Sequence, residues 1–99
     1  MKTIEIQAKQ WRDKVNGNSY FSAKMYVDFG LESEQTFVLP FQYGYGEQYR
    51  HASLELLKQQ GKLQDGTWQE LQAKGIKLLA RIEKDCKKLD VKAFGKLIE

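Results

Sequence analysis

Apolar side chains occupy every second position from residue 21 to residue 29, and this alternation constrains the fold more than any other feature. The apolar positions are Phe21, Ala23, Met25, Val27 and Phe29. The positions between and before them are Tyr20, Ser22, Lys24, Tyr26 and Asp28. Successive side chains of a β-strand point to opposite faces, so a period of two predicts a strand with one buried face.

Two further runs predict strands on either side of this one. Ile4, Ile6 and Ala8 alternate with polar residues, and the Asn-Gly-Asn sequence at 16–18 favours a tight turn. Residues 35–43 place four apolar side chains on one face: Phe37, Leu39, Phe41 and Tyr43. Pro40 cannot donate a ladder hydrogen bond, which predicts an edge strand. Because the connections are short, the three strands are expected to form an antiparallel meander.

The second half of the chain has helical spacing. A first helix follows Gly46 and has a natural end at Gly61. Its apolar residues are Tyr49, Ala52, Leu56 and Leu57. Thr67 and Glu70 form a capping-box pattern that predicts a second helix, although Gly75 weakens its middle by about 1 kcal/mol relative to alanine. The apolar stripe of this helix consists of Trp68, Leu71, Leu78, Leu79, Ile82, Cys86 and Leu89.

The predicted fold class is α+β, with a three-stranded antiparallel meander and two to three C-terminal helices packed on one face, in the order β-β-β-α-α. Asp90 is expected to cap the last short helix, which holds Phe94, Leu97 and Ile98. The 99 residues, 41% of them hydrophobic and 29% charged, are expected to form a single globular domain over 1–99. No membrane span or signal peptide is recognisable, so a cytoplasmic location is expected.

Few residues could carry catalysis, and the pattern does not favour it. His51, the single histidine, lies in the first turn of a predicted helix, and Ser53 falls on another face of that helix. Cys86 lies on the apolar stripe, where a free cysteine acts as a small hydrophobic side chain. Glu32 and Glu34 belong to a polar turn. We therefore expect no enzyme activity, no catalytic residues, no metal and no cofactor.

The stretch from Tyr43 to Tyr49, with glycines at 44 and 46, is the most unusual part of the sequence. A glycine-containing loop before a helix can bind phosphate through backbone N–H groups, but here the dinucleotide-binding fingerprint is incomplete. A packed corner between strand and helix is the simpler interpretation. A third possibility keeps the corner and exposes Tyr45 as an interface anchor.

The polar face of the second strand is a candidate binding surface. Tyr20, Lys24 and Tyr26 mix aromatic rings with a cation, a combination that suits a protein interface or the stacking of nucleic acid bases. Solvation of an ordinary strand remains the third interpretation. Together with Tyr45, these residues form the predicted partner-binding set.

A basic stripe is predicted on the second helix. Residues 1–71 contain eight Lys or Arg and nine Asp or Glu, whereas residues 72–99 contain eight and four. Five of the cations fall within one sector of a helix: Lys74, Lys77, Arg81, Lys84 and Lys88. Such a row can contact a phosphate backbone, an acidic protein or only solvent.

The patterns GNSYFSA at 17–23 and LPFQYGYG at 39–46 resemble small uncharacterised proteins encoded by phages and prophages. The likeness covers residues 11–61 and implies an accessory protein that acts by binding, as anti-CRISPR inhibitors occlude a nucleic-acid-handling complex. The expected function is a non-enzymatic binding protein in a bacterial host, with a host protein or nucleoprotein complex as its partner. Direct nucleic-acid binding through the basic stripe and a structural homodimer stay open as alternatives.

Overall fold

A computed structural model describes residues 2–61, 63 and 67–96. In chain order the elements are β1 (Thr3–Asp13), β2 (Asn18–Val27), β3 (Gln35–Tyr43), α1 (Gln48–Gln59), α2 (Trp68–Ala73), β4 (Lys77–Glu83) and α3 (Lys88–Phe94). The strands form one sheet in the order β3-β2-β1-β4. β2 is antiparallel to both β1 and β3, whereas β4 runs parallel to β1. The α+β class is confirmed, with a mixed four-stranded sheet in place of the predicted antiparallel three-stranded one.

The core lies between the sheet and the pair α1 and α2, on the side here called the inner face. The buried hydrophobic residues of β1 and β2 lie on the face that the alternation predicted: Ile4, Ile6, Ala8, Phe21, Ala23, Met25 and Val27. The prediction is wrong for Phe29, which lies beyond the end of β2 and is 62% exposed, and Ser22, predicted on the polar face, is buried. Leu54 and Leu57 of α1 and Leu71 of α2 pack against them. Full burial of such a side chain stabilises the fold by about 1.5–3 kcal/mol.

The Asn-Gly-Asn turn between β1 and β2 forms as predicted. Gly17 has a φ of 73°, in the left-handed region that favours glycine. Its N–H donates to the carbonyl of Asp13 (2.8 Å), whose carboxylate accepts the N–H of Val15 (3.0 Å). The turn sets a register in which Trp11 lies opposite Tyr20.

The long helix predicted from residue 67 onwards is wrong beyond its first turns. Thr67 caps α2 as expected, because its hydroxyl accepts the N–H of Glu70 (3.3 Å). Gly75 then takes a φ of 86°, and residues 77–83 form β4. The physical reason is the pairing with β1, which provides ladder hydrogen bonds and places alternate residues of β4 against the core: Leu78, Ala80 and Ile82.

β3 contains one extra residue where it pairs irregularly with β2. Ala23 pairs with Leu39, but Phe21 pairs with Gln42, so three steps along β3 match two along β2. The bulge accommodates Pro40, because the extra residue of a bulge is unpaired and needs no ladder N–H. β3 is an edge strand, as the proline predicted.

The bulge overturns the prediction that four apolar residues of β3 share one face. Phe37 and Leu39 pack against the core on the inner face. Phe41 and Tyr43 lie beyond the bulge and contact Tyr20 on the opposite side, here called the outer face. One inserted residue reverses the alternation of every side chain after it.

α3 lies on the outer face, so the prediction that all helices cover one face is wrong. It contacts β1, β2 and β3. A Cβ added at Gly95, just after α3, would lie 2.7 Å from the Cβ of Ser22. Asp90 belongs to the first turn of α3 and is not its cap, which is Lys87. Residues 97–98, expected in this helix, lie outside the described residues.

Candidate partner-binding surface

Three aromatic rings stack across β1, β2 and β3 on the outer face. Tyr20 stacks on Trp11 and on Phe41, with centroid distances of 5.6 Å and 5.2 Å, and Trp11 and Phe41 are 6.3 Å apart, so the three rings form a triangle. Tyr43 meets the Tyr20 ring edge-on at 5.8 Å. The hairpin register supplies the first pair, and the bulge in β3 brings the other two rings to the same face. Each such pair contributes about 0.5–1.5 kcal/mol beyond its buried area.

Two lysines of α3 lie over two of these rings. The Nζ of Lys88 is 5.1 Å from the centroid of Trp11, and the Nζ of Lys92 is 5.5 Å from that of Phe41. The negative face of each ring attracts the cation, by about 0.5–1 kcal/mol at an exposed site. The name aromatic–lysine surface is used below for these residues: Trp11, Tyr20, Phe41, Tyr43, Lys88 and Lys92.

Phe94 makes similar contacts with the centre of the sheet. The Nζ atoms of Lys24 and Lys9 lie 4.5 Å and 5.2 Å from its ring centroid. Nearby, the buried hydroxyl of Ser22 donates to the carbonyl of Val91 (2.5 Å). Lys24 therefore helps to hold α3 on the sheet.

One end of the outer face combines exposed aromatic area with an excess of positive charge. On this face Tyr43 is 59% exposed, and Tyr45, in the connection between β3 and α1, is 69% exposed. Residues 84–96 contain five lysines and two aspartates, a net charge of +3 that equals that of the whole chain. Exposed rings beside unneutralised cations are suited to an acidic partner.

The predicted partner-binding residues fall into three different environments. Tyr45 is exposed, as an interface anchor must be. Tyr20 and Lys24 are half-buried beneath α3, in the ring stack and against Phe94. Tyr26 lies towards the other end of β2 and packs edge-on against Phe29, with 5.9 Å between the centroids.

The basic stripe predicted along one helix does not form, because residues 77–83 are a strand. Lys74 ends α2, and Lys84 lies in the connection after β4. Lys77 and Arg81 project from the outer face of β4, and Lys88 begins α3. These five cations therefore belong to separate elements, and of them Lys88 joins the aromatic–lysine surface.

The glycine-containing stretch between β3 and α1 is a closely packed corner. A Cβ at Gly44 would lie 2.5 Å from Cε1 of the buried Phe21 ring. The N–H of Gly44 donates to the carbonyl of Ser19 (3.0 Å) and is not available to an anion. Glu47, just before α1, pairs with Arg50 (3.2 Å). These contacts support the corner over the phosphate-binding loop.

The residues considered for catalysis have different surroundings. His51 is exposed and lines a cleft of about 250 Å³ between α1 and α2. Ser53 is buried, and its hydroxyl donates to a carbonyl of its own helix (2.7 Å). Burial raises the pKa of the Cys86 thiol, which disfavours the reactive thiolate. Glu32 and Glu34 are exposed in the connection before β3. Within the described ranges, no group of three or more His, Cys, Asp or Glu could hold a metal ion.

Sequence reasoning missed the contributions of Trp11, Phe41 and Lys92 to the surface. The signal for Trp11 was present, because a hairpin around the turn at 16–18 places it opposite Tyr20. Phe41 reaches the outer face through the bulge alone, and Lys92 through the position of α3. Neither can be deduced from local periodicity.

No protein-family model, curated protein or solved structure matches the chain. None of the helices in the described part of the chain is long and apolar enough to cross a membrane. Fold and surface together define a small α+β domain with a basic, aromatic outer face.

Proposed function

We propose that this chain is a binding protein without catalytic activity that docks onto an acidic protein surface through the aromatic–lysine surface and Tyr45. The observation that carries the proposal is that two lysines of α3 lie over rings of a cluster whose Tyr43 is 59% exposed, with the exposed Tyr45 two residues further along the chain. Tyr43 and Tyr45 provide large apolar contact area with a polar tip. Lys88 and Lys92 provide attraction to an acidic surface and faster association.

An acidic protein suits this surface better than unpaired nucleic acid bases do. A base stacks on a ring that has a free face. Tyr20 is half-buried and contacts both Trp11 (5.6 Å) and Phe41 (5.2 Å). The rings of Trp11 and Phe41 are in turn occupied by the ammonium groups of Lys88 (5.1 Å) and Lys92 (5.5 Å). Asp85 and Asp90 interrupt the run of lysines, so the cations do not form the continuous row that would follow a phosphate backbone.

The resemblance of residues 11–61 to phage-encoded proteins extends the proposal to a class of partner. We infer a protein or nucleoprotein complex in the cytoplasm of a bacterial host. The mechanism is occlusion, in the manner of anti-CRISPR proteins: the bound chain covers a surface that nucleic acid or another subunit needs. No chemical step is required of the chain itself.

Affinity capture from a bacterial lysate with the full chain, with and without nuclease, is the first test. A specific protein that is retained after nuclease treatment is the expected result. Recovery of nucleic acid alone, lost after nuclease, would contradict the proposal and favour direct nucleic-acid binding.

Substitutions then test the surface against the captured and purified protein. Tyr45→Ala removes an exposed anchor, and we expect a loss of affinity of about 30-fold, the size of a hot-spot effect. Reversing Lys88 and Lys92 to Glu should also weaken binding, less so at high salt. Lys74→Glu reverses an exposed charge at the end of α2 and serves as the matched control. Equal affinity for all of these variants would place the interface elsewhere.

A further inference from the structure

We propose that the free edge of β4 is a dimerisation surface, along which a second copy of this chain pairs in the antiparallel direction to make one continuous sheet. β4 is the last strand of the sheet, and none of the described residues forms a strand on its outer side. The proposal rests on three observations: the unprotected backbone groups of this edge, the incomplete burial of its side chains, and its self-complementary sequence.

The two edges of the sheet differ in their protection. β3 carries Pro40 and a bulge, both of which hinder pairing with another strand. β4 has neither, and its seven residues pair regularly with β1. Unpaired N–H and C=O groups on such an edge are a template for a further strand.

The backbone groups that face outwards are defined by the ladder with β1. The N–H of Lys77 donates to the carbonyl of Lys2 (3.0 Å). In a parallel ladder, alternate residues turn both backbone groups to the same neighbour, so Lys77 and every second residue after it bond to β1. The N–H and C=O groups of the remaining residues, Leu78, Ala80 and Ile82, are therefore turned to the free edge.

The apolar side chains of β4 are left incompletely covered. Ile4 and Ile6 of β1 are 0% exposed, whereas the adjacent inner-face residues of β4, Leu78 and Ala80, keep partial exposure. On the outer face Leu79 is 50% exposed. A second copy beyond this edge would cover both sides of the strand at once.

The sequence of β4, KLLARIE, is complementary to itself about Ala80. When Ala80 faces its own copy across a two-fold axis, Leu78 faces Ile82 and Lys77 faces Glu83. All three outward-facing residues then form hydrogen-bonded pairs, with about six N–H···O bonds, two for each pair. Opposite charges lie across the axis at both ends of the pairing.

Neighbouring registers are less favourable both in hydrogen bonding and in the pairing of charges. A shift that puts Leu79 on the axis pairs Lys77 with Arg81, and a shift that puts Arg81 there pairs it with itself. Each shift brings two cations together, and each leaves one outward-facing residue without a partner. Hydrogen bonding and charge thus select the same register, which favours a second copy over an unrelated strand.

The two-fold axis of such a pairing is perpendicular to the sheet, so both outer faces lie on the same side. The sheet order becomes β3-β2-β1-β4-β4-β1-β2-β3. The dimer does not depend on the proposed function, although it would present two aromatic–lysine surfaces to one partner.

Sedimentation of the full chain over a range of concentrations tests the proposal. We expect a reversible monomer–dimer equilibrium for the wild type. Ala80→Pro removes an N–H that faces the free edge and none that bonds to β1, so it should be folded by circular dichroism and monomeric throughout. A wild type that stays monomeric at high concentration, or a folded Ala80→Pro variant that dimerises equally well, would overturn the proposal.

Charge reversal tests the register even if the proline variant fails to fold. Lys77→Glu and Glu83→Lys each place like charges across the axis at two symmetry-related pairs, and each should weaken dimerisation by about tenfold. The double variant restores opposite charges and should recover dimerisation. It cannot recover the contact of Glu83 with Lys9 in the same chain (3.9 Å), so recovery reports the pair between chains. A double variant weaker than both single variants would contradict the register.

Cysteine trapping gives an independent measurement. In a Cys86→Ser background, Ala80→Cys places one thiol opposite its own copy, at a Cα separation of about 5.5 Å that a disulfide can span. It should crosslink rapidly on oxidation, whereas the matched Arg81→Cys variant, which faces Leu79 of the other copy, should not. Equal crosslinking of the two variants would count against this dimer. Binding of a separate acidic peptide to the β4 edge, in a chain that never self-associates, would also count against it.

Discussion

Asp28 ties the start of β1 to the end of β2 through its side chain. Its carboxylate accepts hydrogen bonds from the N–H groups of Lys2 (2.6 Å) and Thr3 (3.1 Å) and from the hydroxyl of Ser33 (3.0 Å). Its φ of 53° lies in the left-handed region, which aspartate and asparagine tolerate better than most residues. These hydrogen bonds, chiefly that from Lys2, lower the pKa of the Asp28 carboxyl below its ordinary value of 3.8.

A pH-dependent contribution to stability follows from this lowered pKa. The fold favours the charged carboxylate, so its stabilisation is complete above the unfolded pKa and is lost as the pH falls through the lower folded pKa. Asp28→Asn keeps one oxygen and tolerates the backbone conformation, but it removes the charge. We expect the variant to be less stable than the wild type at neutral pH, with a difference that shrinks below pH 3.8. Urea unfolding of both proteins at a series of pH values measures this, and a difference that stays constant into acid would refute it.

At the scale of elements, α3 is fixed to the sheet by close polar and steric contacts with little apolar burial. Val91 is its one fully buried residue in the described part of the chain, and the carbonyl of Val91 accepts the hydroxyl proton of Ser22. Gly95 allows close approach, since a Cβ there would lie 3.0 Å from the backbone nitrogen of Phe41. The position of the aromatic–lysine surface therefore depends on a few contacts around Ser22.

Ser22→Ala should loosen α3 selectively. The substitution removes the hydroxyl donor, but the Val91 carbonyl still accepts the N–H of Gly95 (3.2 Å). The loss of one hydrogen bond should destabilise by about 0.5–1.5 kcal/mol. Amide hydrogen exchange of α3 should accelerate more than that of β2. Ser53→Ala is the matched control, because Ser53 is also buried but donates within α1 (2.7 Å). If both variants change the exchange of α3 equally, Ser22 does not hold this helix in place.

The elements also show which parts of the fold the sequence can predict. The first three strands, their turn and α1 depend on local signals such as the alternation at 21–29. β4 does not, because Leu78, Leu79 and Ile82 fit a helical stripe as well as a strand. The deciding contact is with β1, at the other end of the chain. Gly75 was the one local signal that the helix ends before residue 77, since a glycine with positive φ commonly ends a helix.

The aromatic–lysine surface could be predicted only in part, for a similar reason. Tyr20 and Lys88 were singled out from periodicity and charge, and both belong to the aromatic–lysine surface. The rings beside Tyr20 come from other strands, and the extra residue at Pro40 brings Phe41 to this face. Local sequence patterns report neither a bulge nor the face on which a short helix docks.

At the scale of the whole molecule, β1 is a central strand that contacts elements from both halves of the chain. It pairs with β2 on one side and with β4 on the other, and it contacts α1 on the inner face and α3 on the outer face. Loss of either helix layer exposes the same central strand. We therefore expect the inner and outer layers to unfold together, as one cooperative unit.

The two tryptophans allow this cooperativity to be measured layer by layer. Trp11 reports the outer face, where it contacts Tyr20 and Lys88, and Trp68 reports the inner layer, where it packs against the core beside Arg50. Trp68→Phe leaves Trp11 as the single indole, and Trp11→Phe leaves Trp68. In each variant the fluorescence midpoint in urea should coincide with the circular dichroism midpoint of the same protein, which makes each variant its own control for altered stability. A Trp11 transition at lower urea than the loss of secondary structure would show instead that α3 and the aromatic stack detach before the sheet unfolds.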